Sequence, residues 1–199
     1  MGKIGIYIFI LAEVIIAGII VIAFYKNYKL LKSNKYLLEI NKWYRMAMTD
    51  DLTGVQSHTA YSSHIEKLQS FSRSRMQTGI LVFDVDNFKA VNDSKGHLAG
   101  DEVLKRVARM LTDVFAGKGY GVYRIGGDEF AVIAECASER EIIGLLIELA
   151  EREKAEDVRL SKGYALINCG KSFEKAFAEA DKMLYADKAA MKSRREILS

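Results

Sequence analysis

Acidic residues stand at the ends of two predicted strands, where their carboxylates could share a ligand. Asp84 lies near the end of a run of β-branched and aromatic residues from 79 to 86, and Asp128 and Glu129 follow a Gly-Gly pair. Neighbouring residues of a strand point to opposite faces, so Asp128 and Glu129 cannot have the same role. If the strand that ends near Asp84 lies beside the strand that follows the Gly-Gly pair, Asp84 and Asp128 converge on one site.

Such a site favours divalent-cation binding and phosphate transfer. Hard oxygen ligands suit Mg²⁺ or Mn²⁺, which keep several waters and take further ligands from a bound triphosphate. Two such ions can hold both the attacking and the leaving oxygen of an in-line displacement. Acids also gather at strand ends because loops are solvated, so this pattern alone leaves both interpretations open.

The Gly126-Gly127 pair predicts a tight two-residue hairpin turn. Runs rich in β-branched and aromatic residues flank it, at 122–125 and 130–133. Primed turns place their central residues at positive φ, which glycine adopts without steric cost. We therefore expect positive φ at both glycines and a backbone that is open to a phosphate and a metal ion.

Helical periodicity and apolar runs alternate along the chain and predict an α+β domain with helices packed on one sheet. Gly96 separates two of the helices. The predicted helices cover 57–71, 87–95, 97–115, 138–154 and 172–195, and the predicted strands cover 79–86, the hairpin 122–133, and 158–167.

The N-terminal segment from Ile4 to Phe24 is almost wholly apolar and is as long as a bilayer-spanning helix, about 20 residues. Its 14 Ile, Leu, Val and Phe residues favour insertion by roughly 0.3 to 0.6 kcal/mol each, which outweighs a cost of roughly 3 kcal/mol for Glu13. A cleaved signal peptide would have a shorter apolar region followed by a small-residue cleavage site. We therefore predict one transmembrane helix in residues 1–25, and the role of Glu13 stays open.

Basic residues after this segment predict its orientation. Lysine and arginine recur from Lys26 to Arg45, whereas Lys3 alone precedes the span. This bias predicts a single-pass protein of the cell membrane with everything after residue 25 in the cytoplasm. Topology and lipid head groups explain these charges, and the net charge of +3 does not indicate nucleic-acid binding.

Residues 26–48 predict a linking helix that pairs with a second copy of the chain as a coiled coil. Two rows are spaced by sevens, namely Leu30, Leu37 and Tyr44, and Asn27, Asn34 and Asn41. Leucine at d with asparagine at a is typical of parallel two-stranded coils with a fixed register. A competing row at Leu31 and Leu38 fits nearly as well, so the register stays open.

Four sequence blocks follow one another between residues 50 and 194. They are Asp50-Asp51-Leu52-Thr53-Gly54; Asp84-Val85-Asp86-Asn87-Phe88-Lys89 with Asn92-Asp93, Gly96-His97 and Gly100-Asp101; Arg124-Ile125-Gly126-Gly127-Asp128-Glu129-Phe130; and Ala180-Asp181 with Leu184-Tyr185 and Lys188. In this order and spacing they resemble the GGDEF family of diguanylate cyclases. The resemblance assigns residues 49–199 to one cyclase domain.

The resemblance implies a nucleotidyl-cyclase fold similar to the polymerase palm, a ferredoxin-like mixed sheet surrounded by helices. It also implies that two GTP molecules are condensed into cyclic di-GMP with release of two pyrophosphates. Each protomer of a homodimer presents one GTP, and each 3′-hydroxyl attacks the α-phosphate of the other. A dimerising helix would therefore complete the active site.

For the catalytic centre, the resemblance implies that Asp84 and Asp128 hold Mg²⁺ or Mn²⁺, with the Val85 carbonyl as a third ligand. Asp128, together with Glu129, would favour deprotonation of the 3′-hydroxyl. Positioning and charge neutralisation supply most of the rate in phosphoryl transfer generally.

For the base, the resemblance implies that Asn92 and Asp101 read the guanine edge. A carboxylate accepts hydrogen bonds from the N1–H and N2–H₂ groups, which adenine lacks. His97 would lie near this pocket as a capping or supporting group rather than as a metal ligand.

For the phosphates, the resemblance implies contacts with Lys89, Lys188 and Lys192 and with the backbone of Phe88 and Lys89. Without the resemblance, each of these lysines would be assigned to a solvated helix face. The role of each lysine therefore depends on the family assignment.

The chain departs from the family pattern at three places. Ser57-His58 replaces the usual Asn-Arg, and Met191-Lys192 replaces Gly-Arg, which exchanges a bidentate phosphate ligand for a point charge. An Arg-x-x-Asp feedback site would fall at 117–120, which reads Gly-Lys-Gly-Tyr, so we predict no product inhibition through it.

Two alternatives stay open. One is a catalytically silent domain that binds GTP or acts as a scaffold, which the departures suggest and the intact acids oppose. The other is a cyclic dinucleotide synthase with relaxed base choice, which Asp101 disfavours. The sequence identifies neither the activating signal nor the effector that would read the product.

Overall fold

The computed structural model describes residues 2–70, 77–167 and 172–198. For residues 3–7, 9, 10, 12, 192 and 194–198, only the backbone is described. Contacts divide the chain into two units, Met1–Arg45 and Met46–Ser199, and each is described by itself.

One long helix, α1, spans Lys3–Met48 without a break. Its part Glu13–Met48 is long and apolar enough to cross a membrane, by length and composition. Leu30, Leu37 and Tyr44 of the predicted seam are all exposed. The predicted helix is therefore present, whereas the membrane span and the paired coil stay predictions.

The second unit alternates helices and strands in the predicted order. Its elements are α2 (His58–Ser70), β1 (Thr78–Val85), α3 (Phe88–Lys95), α4 (His97–Phe115), a 3₁₀ turn (Ala116–Lys118), β2 (Gly121–Arg124), β3 (Glu129–Glu135), α5 (Glu139–Glu156), β4 (Leu160–Ile167) and α6 (Phe173–Leu198). The break between α3 and α4 falls at Gly96, whose φ of 82° lies in the region that glycine tolerates best.

The four strands form one sheet in the order β2-β3-β1-β4. β1 pairs antiparallel with both β3 and β4, so Asp84 lies opposite Glu129 on one side and Ser161 on the other. A parallel pairing occurs as an isolated bridge between Gln56 and Tyr123. The predicted α+β fold is confirmed, and the first strand lies beside the hairpin as the site requires.

Helices cover both faces of this sheet, because successive β1 side chains alternate between two buried layers. Leu81, Phe83 and Val85 belong to the larger core, which includes residues of α4 and α5. Val82 faces the other way and packs with Ala180 and other residues of α6. Asp84 follows the same alternation as Val82, which directs its carboxylate to the face covered by α6.

The loop between β2 and β3 is wider than the sequence predicted. β2 ends at Arg124 and β3 begins at Glu129, so the loop contains more than the Gly-Gly pair. The N–H groups of Ile125 and Gly126 both donate to the Glu129 carbonyl, at 2.9 and 3.3 Å. Neither Gly126 nor Gly127 has a positive φ. The prediction of a two-residue primed turn was therefore wrong.

Candidate active site

The predicted catalytic acids meet at one end of the two central strands. The N–H of Val85 donates to the carbonyl of Asp128 at 3.1 Å, which joins the end of β1 to the residue before β3. Asp84 is buried, with 8% of its surface exposed, whereas Asp128 is half-buried and Glu129 is exposed. The structure therefore brings Asp84, Val85, Asp128 and Glu129 together.

Lys188 of α6 supplies a positive charge to this cluster. Its Nζ lies 2.7 Å from Oδ2 of Asp84. Burial alone would lower the pKa of Lys188, but its hydrogen bond to Asp84 and the charges of Asp84, Asp128 and Glu129 raise it overall. The ammonium therefore lies in the combined negative field of all three acids.

The pKa of Asp84 is raised above its usual value of 3.8, and burial is the largest cause. The Lys188 ammonium opposes this effect, while the charges of Asp128 and Asp86 add to it. A partly desolvated carboxylate with acidic neighbours gains from a nearby cation. The site favours positive charge at this position.

These acids fit a divalent cation that takes part of its coordination from a substrate. No group of three or more His, Cys, Asp or Glu side chains among the described residues is arranged to hold a metal ion. Mg²⁺ commonly binds one or two carboxylates and completes its shell with water and substrate phosphates. The carboxylates of Asp84 and Asp128 match that ligand set, and the cation contact of Asp84 shows which of its oxygens, Oδ2, is accessible to a positive charge.

Arg124 holds the loop that carries Asp128. Its Nε and Nη2 donate to the Gly127 carbonyl at 3.2 and 2.7 Å. Its Nη1 donates to Oδ1 and Oδ2 of Asp50 at 3.1 and 3.3 Å. One guanidinium therefore connects the turn after α1 to the glycine that precedes Asp128.

Asp50 is held in turn by Thr53, whose N–H and hydroxyl both donate to Oδ1, at 2.9 and 2.5 Å. Burial alone would raise the pKa of Asp50, but the hydrogen bonds from Thr53 and Arg124 and the Arg124 charge lower it below 3.8. Asp50 is therefore ionised in the folded chain under ordinary conditions, and it fixes the orientation of Arg124.

The two loop glycines leave space near the acids. A Cβ on Gly126 would collide with the Glu129 carboxylate, whereas a Cβ on Gly127 would meet no atom of the described residues within 4 Å. Since neither has a positive φ, backbone conformation does not explain their presence. The Cβ position is therefore open at Gly127 and occupied at Gly126, and the predicted access of a phosphate and a metal ion to this backbone stays a prediction.

The amino end of α3 lies directly after the β1 acids. Asn87 takes a left-handed conformation with φ of 61°, which turns the chain sharply into a helix that begins at Phe88. The first N–H groups of a helix lack intrahelical partners and favour anions. At this end Phe88 is half-buried and Lys89 is exposed, and their contacts with phosphate stay a prediction.

The predicted guanine-reading residues lie on α3 and α4. Oδ1 of Asn92 is buried and has no hydrogen-bond partner among the residues that the structure describes. A Cβ on Gly100 would collide with that oxygen, so glycine permits the close approach of the two helices. Asp101 is half-buried on the same turn of α4. A buried acceptor without a donor fits an N–H group of a base.

His97 is the first residue of α4, and its side chain is exposed. The N-cap position belongs to Gly96, so His97 does not occupy it. His97 therefore does not cap α4, and its predicted place near the guanine pocket stays a prediction.

Residues at two of the three places where the chain departs from the family pattern have defined contacts in the structure. Ser57 accepts a hydrogen bond from Ala60 N–H at 3.3 Å and donates to the Ala47 carbonyl at 2.5 Å, so it serves the start of α2. Sδ of Met191 lies 3.9 Å from Nη1 of Arg159. The side chain of Lys192 lies outside the described part of the structure, so its predicted phosphate contact stays a prediction.

A family model described as "Diguanylate cyclase, GGDEF domain" matches residues 47–194. The chain belongs to the GGDEF family. Diguanylate cyclase DgcN of Escherichia coli is 35% identical over 155 residues, which cover 72% of this chain and 38% of DgcN. An uncharacterized membrane protein of Staphylococcus saprophyticus is 30% identical over 162 residues, which cover 75% of this chain and 45% of that protein. This chain thus spans less than half the length of either relative.

Among solved structures, the coiled coil and GGDEF domain of DgcB from Caulobacter crescentus, in complex with c-di-GMP, matches with a TM-score of 0.74. The sequences are 24% identical, and the match covers 81% of this chain and 91% of the DgcB chain. The similarity confirms the predicted GGDEF fold.

Several residues around the site were not found from the sequence. Arg124 was recognised only as part of a motif, and the contacts of Lys162 with Glu153 and Asp187 were missed. A lysine in the middle of a strand and an acid directly before Lys188 were the available signals. Their partners lie on distant segments, so only the fold reveals them.

Proposed function

We propose that this chain is a diguanylate cyclase that condenses two GTP molecules into cyclic di-GMP and releases two pyrophosphates. The single observation that carries the proposal is the meeting of Asp84 and Asp128 beside a cation, Lys188, at the end of the central strands. Membership of the family and the similarity to DgcN support the reaction class.

Asp84 and Asp128, with the Val85 carbonyl, would hold Mg²⁺ or Mn²⁺. The ion would neutralise charge on the triphosphate and orient its α-phosphate. Asp128, assisted by the exposed Glu129, accepts the proton of the attacking 3′-hydroxyl.

The substrate is bound by groups on three helices. Asn92 and Asp101 accept hydrogen bonds from guanine, and the amino end of α3 at Phe88 and Lys89 contacts phosphate. Lys188 leaves Asp84 and binds phosphate when the cation and GTP arrive, because the triphosphate presents more negative charge than one carboxylate. Lys192, one turn further along α6, adds a second charge.

The chain acts as a homodimer, because each protomer presents only one GTP and one nucleophile. Residues 26–48 of α1 form the parallel coil that brings two domains together, and residues 1–25 anchor them to the cell membrane with the domain in the cytoplasm. The exposed apolar rows of α1 support both assignments.

The test is turnover by the full chain in lipid nanodiscs supplied with GTP and Mg²⁺. The quantities measured are the pyrophosphate and the cyclic di-GMP that are formed. We expect both products from the wild type, neither from Asp84→Ala, and none with ATP in place of GTP. Asp113→Ala, an acid-to-alanine change on the exposed surface of α4, is the matched control. GTP binding without product would refute cyclase activity and assign a silent nucleotide-binding domain.

Dimerisation is tested separately by dilution in detergent micelles. Activity per protomer should fall at low protein concentration and return at high concentration, more steeply once residues 1–46 are deleted. Specific activity that is independent of concentration in the deleted chain would contradict the homodimer.

A further inference from the structure

The strand β4 lies at an edge of the sheet, and one of its outward backbone groups is bonded to α6. The N–H of Lys162 donates to Oδ2 of Asp187 at 3.0 Å. Edge strands leave such groups without a strand partner, so a side chain that accepts from them attaches a neighbouring element to the sheet. Asp187 thus connects α6 to the backbone of β4.

Asp187 directly precedes Lys188, whose Nζ contacts Asp84 at 2.7 Å. Consecutive residues of an α-helix project about 100° apart around its axis. The two contacts therefore reach two different strands, β4 through Asp187 and β1 through Lys188. Two attachments at this angle fix both the rotation of α6 about its axis and its height along the sheet.

Lys162, whose N–H bonds Asp187, is itself held from the opposite face of the sheet. Nζ of Lys162 lies 2.5 Å from Oε1 of Glu153 on α5, and their side chains are only 21% and 11% exposed. Burial raises the pKa of Glu153, the Lys162 ammonium opposes that effect, and the charges of Asp86 and Asp187 add to it. Lys162 therefore contacts α5 with its side chain and α6 with its backbone.

The backbone of α6 also lies directly against β4 one residue further along. A Cβ on Gly163 would lie 2.6 Å from the Leu184 nitrogen and still closer to the Ala180 carbonyl oxygen. A helix in such close contact with a strand has little room to slide. The Asp187 hydrogen bond lies one turn beyond this contact, toward the catalytic end of the sheet.

We propose that Asp187 is a positioning residue, whose hydrogen bond to the β4 edge sets Lys188 in reach of the Asp84 carboxylate and of the bound triphosphate. This inference rests on the proposed function for its kinetic consequence, although its structural consequence is independent of turnover. Asp187 does not touch the substrate, and it acts only through the orientation of α6.

The inference predicts a substrate-binding defect with a defined rescue. Asp187→Ala removes the acceptor, so KM for GTP should rise about tenfold, with kcat changed less than about threefold. Asp187→Asn keeps an oxygen that accepts from the Lys162 N–H, and it should restore KM to within about threefold of the wild type. Asp113→Ala, another acid-to-alanine change on a helix, should leave KM unchanged.

A second measurement does not require activity. Hydrogen exchange of the full chain in detergent micelles should be faster in peptides covering 158–167 and 181–191 of Asp187→Ala, and normal in Asp187→Asn and Asp113→Ala. If the wild type makes no product, the proposed function fails. The positioning role is then decided by exchange and by equilibrium binding of GTP itself, which should weaken about tenfold in Asp187→Ala.

Three results would overturn the role of Asp187. The first is a wild-type exchange pattern in Asp187→Ala. The second is a loss of kcat with unchanged KM, which indicates a smaller folded fraction rather than a misplaced Lys188. The third is an Asp187→Asn variant as defective as Asp187→Ala, because the hydrogen-bond acceptor would then be irrelevant.

Discussion

Arg124→Ala removes a guanidinium that joins two segments next to the candidate catalytic acids. Arg124 and Asp50 are partly buried, with 15% and 23% of their side chains exposed, so their ion pair is neither fully screened nor fully desolvated. Exposed pairs contribute about 0.2 to 1 kcal/mol, and breaking a buried pair costs about 3 to 5 kcal/mol. We therefore expect a coupling free energy between Asp50 and Arg124 of about 1 to 2 kcal/mol.

The total cost of Arg124→Ala should exceed that coupling. The guanidinium also donates twice to the Gly127 carbonyl, at 2.7 and 3.2 Å. In the variant this carbonyl can bind water, and Asp50 keeps its two hydrogen bonds from Thr53. Neither partner is therefore left without a hydrogen bond. We expect the free energy of unfolding to fall by about 2 to 3 kcal/mol.

The assay is a double-mutant cycle on the full chain in detergent micelles, with urea unfolding followed by far-ultraviolet circular dichroism. The cycle uses Asp50→Ala, Arg124→Ala and the double variant, and Arg152→Ala serves as the matched control. Arg152 pairs with Asp113 at 3.0 Å, but the two side chains are 41% and 57% exposed. The control should cost less than about 1 kcal/mol.

The coupling should depend on pH in one direction. The folded-state pKa of Asp50 is lowered, so its stabilising contribution is present above the unfolded value of 3.8 and disappears as pH falls through the lower folded-state pKa. The cycle measured at pH 7 should therefore give a larger coupling than the same cycle at pH 3. A coupling below about 0.5 kcal/mol at pH 7, or one that is unchanged in acid, would refute the structural reasoning.

Two further changes separate stability from function. Asp84→Asn should change the melting temperature little at neutral pH, although we expect it to abolish the proposed Mg²⁺-dependent turnover. The variant relieves the burial of a charge that raises the pKa of Asp84, but it also removes the ion pair that raises the pKa of Lys188, and the two effects oppose each other. A large change in melting temperature at pH 7 would contradict this. Gly163→Ala should lower the free energy of unfolding by about 3 kcal/mol or more, since the new methyl group meets backbone atoms of α6 that cannot rotate away. Gly144→Ala, on α5 with nothing within 4 Å, should instead raise it by about 0.5 to 1 kcal/mol, and urea unfolding would measure both.

The sequence predicted the helices and strands of the domain because their signals are local. Amphipathic spacing located α4, and Gly96 marked its beginning. The apolar run of β1 and the acids at its end indicated where the candidate catalytic centre lies. These features depend on residues close together in the chain, so local sequence patterns are enough to find them.

The loop geometry could not be predicted in the same way. A Gly-Gly pair between two apolar runs is typical of a two-residue turn, but the pairing of β2 ends at Arg124 and that of β3 begins at Glu129. Arg124 instead directs its side chain to the Gly127 carbonyl and to Asp50, which is 74 positions earlier in the chain. A contact of that sequence separation leaves no local pattern.

The contacts of α6 were missed for the same reason. Lys188 was predicted to meet phosphate, and the structure places it against Asp84. A lysine on a helix gives no sign of which strand it will face. Lys162 broke the apolar pattern of its strand, but the acids that explain it, on α5 and α6, are assembled only by the fold.

The strand order gives the candidate catalytic acids a different support on each side. Asp84 lies in β1 and Asp128 directly precedes β3, and these are the two central strands, with β4 beyond β1 and β2 beyond β3. On the β2 side, Arg124 holds the loop of Asp128, which we propose as the proton acceptor. On the β4 side, Asp187 holds the helix of Lys188, which we propose as a phosphate ligand.

The two supports should therefore fail in different ways. A displacement of about 1 Å at a reacting group can cost about 100-fold in rate, whereas a displaced phosphate ligand chiefly weakens binding. Arg124→Ala should lower kcat with little change in KM, and Asp187→Ala should raise KM with little change in kcat. In the double variant the two effects should be independent, because the residues share no contact and act on different strands. A loss in the double variant much smaller than the product of the two single effects would mean that both act through one shared element, and the two-sided arrangement would be wrong.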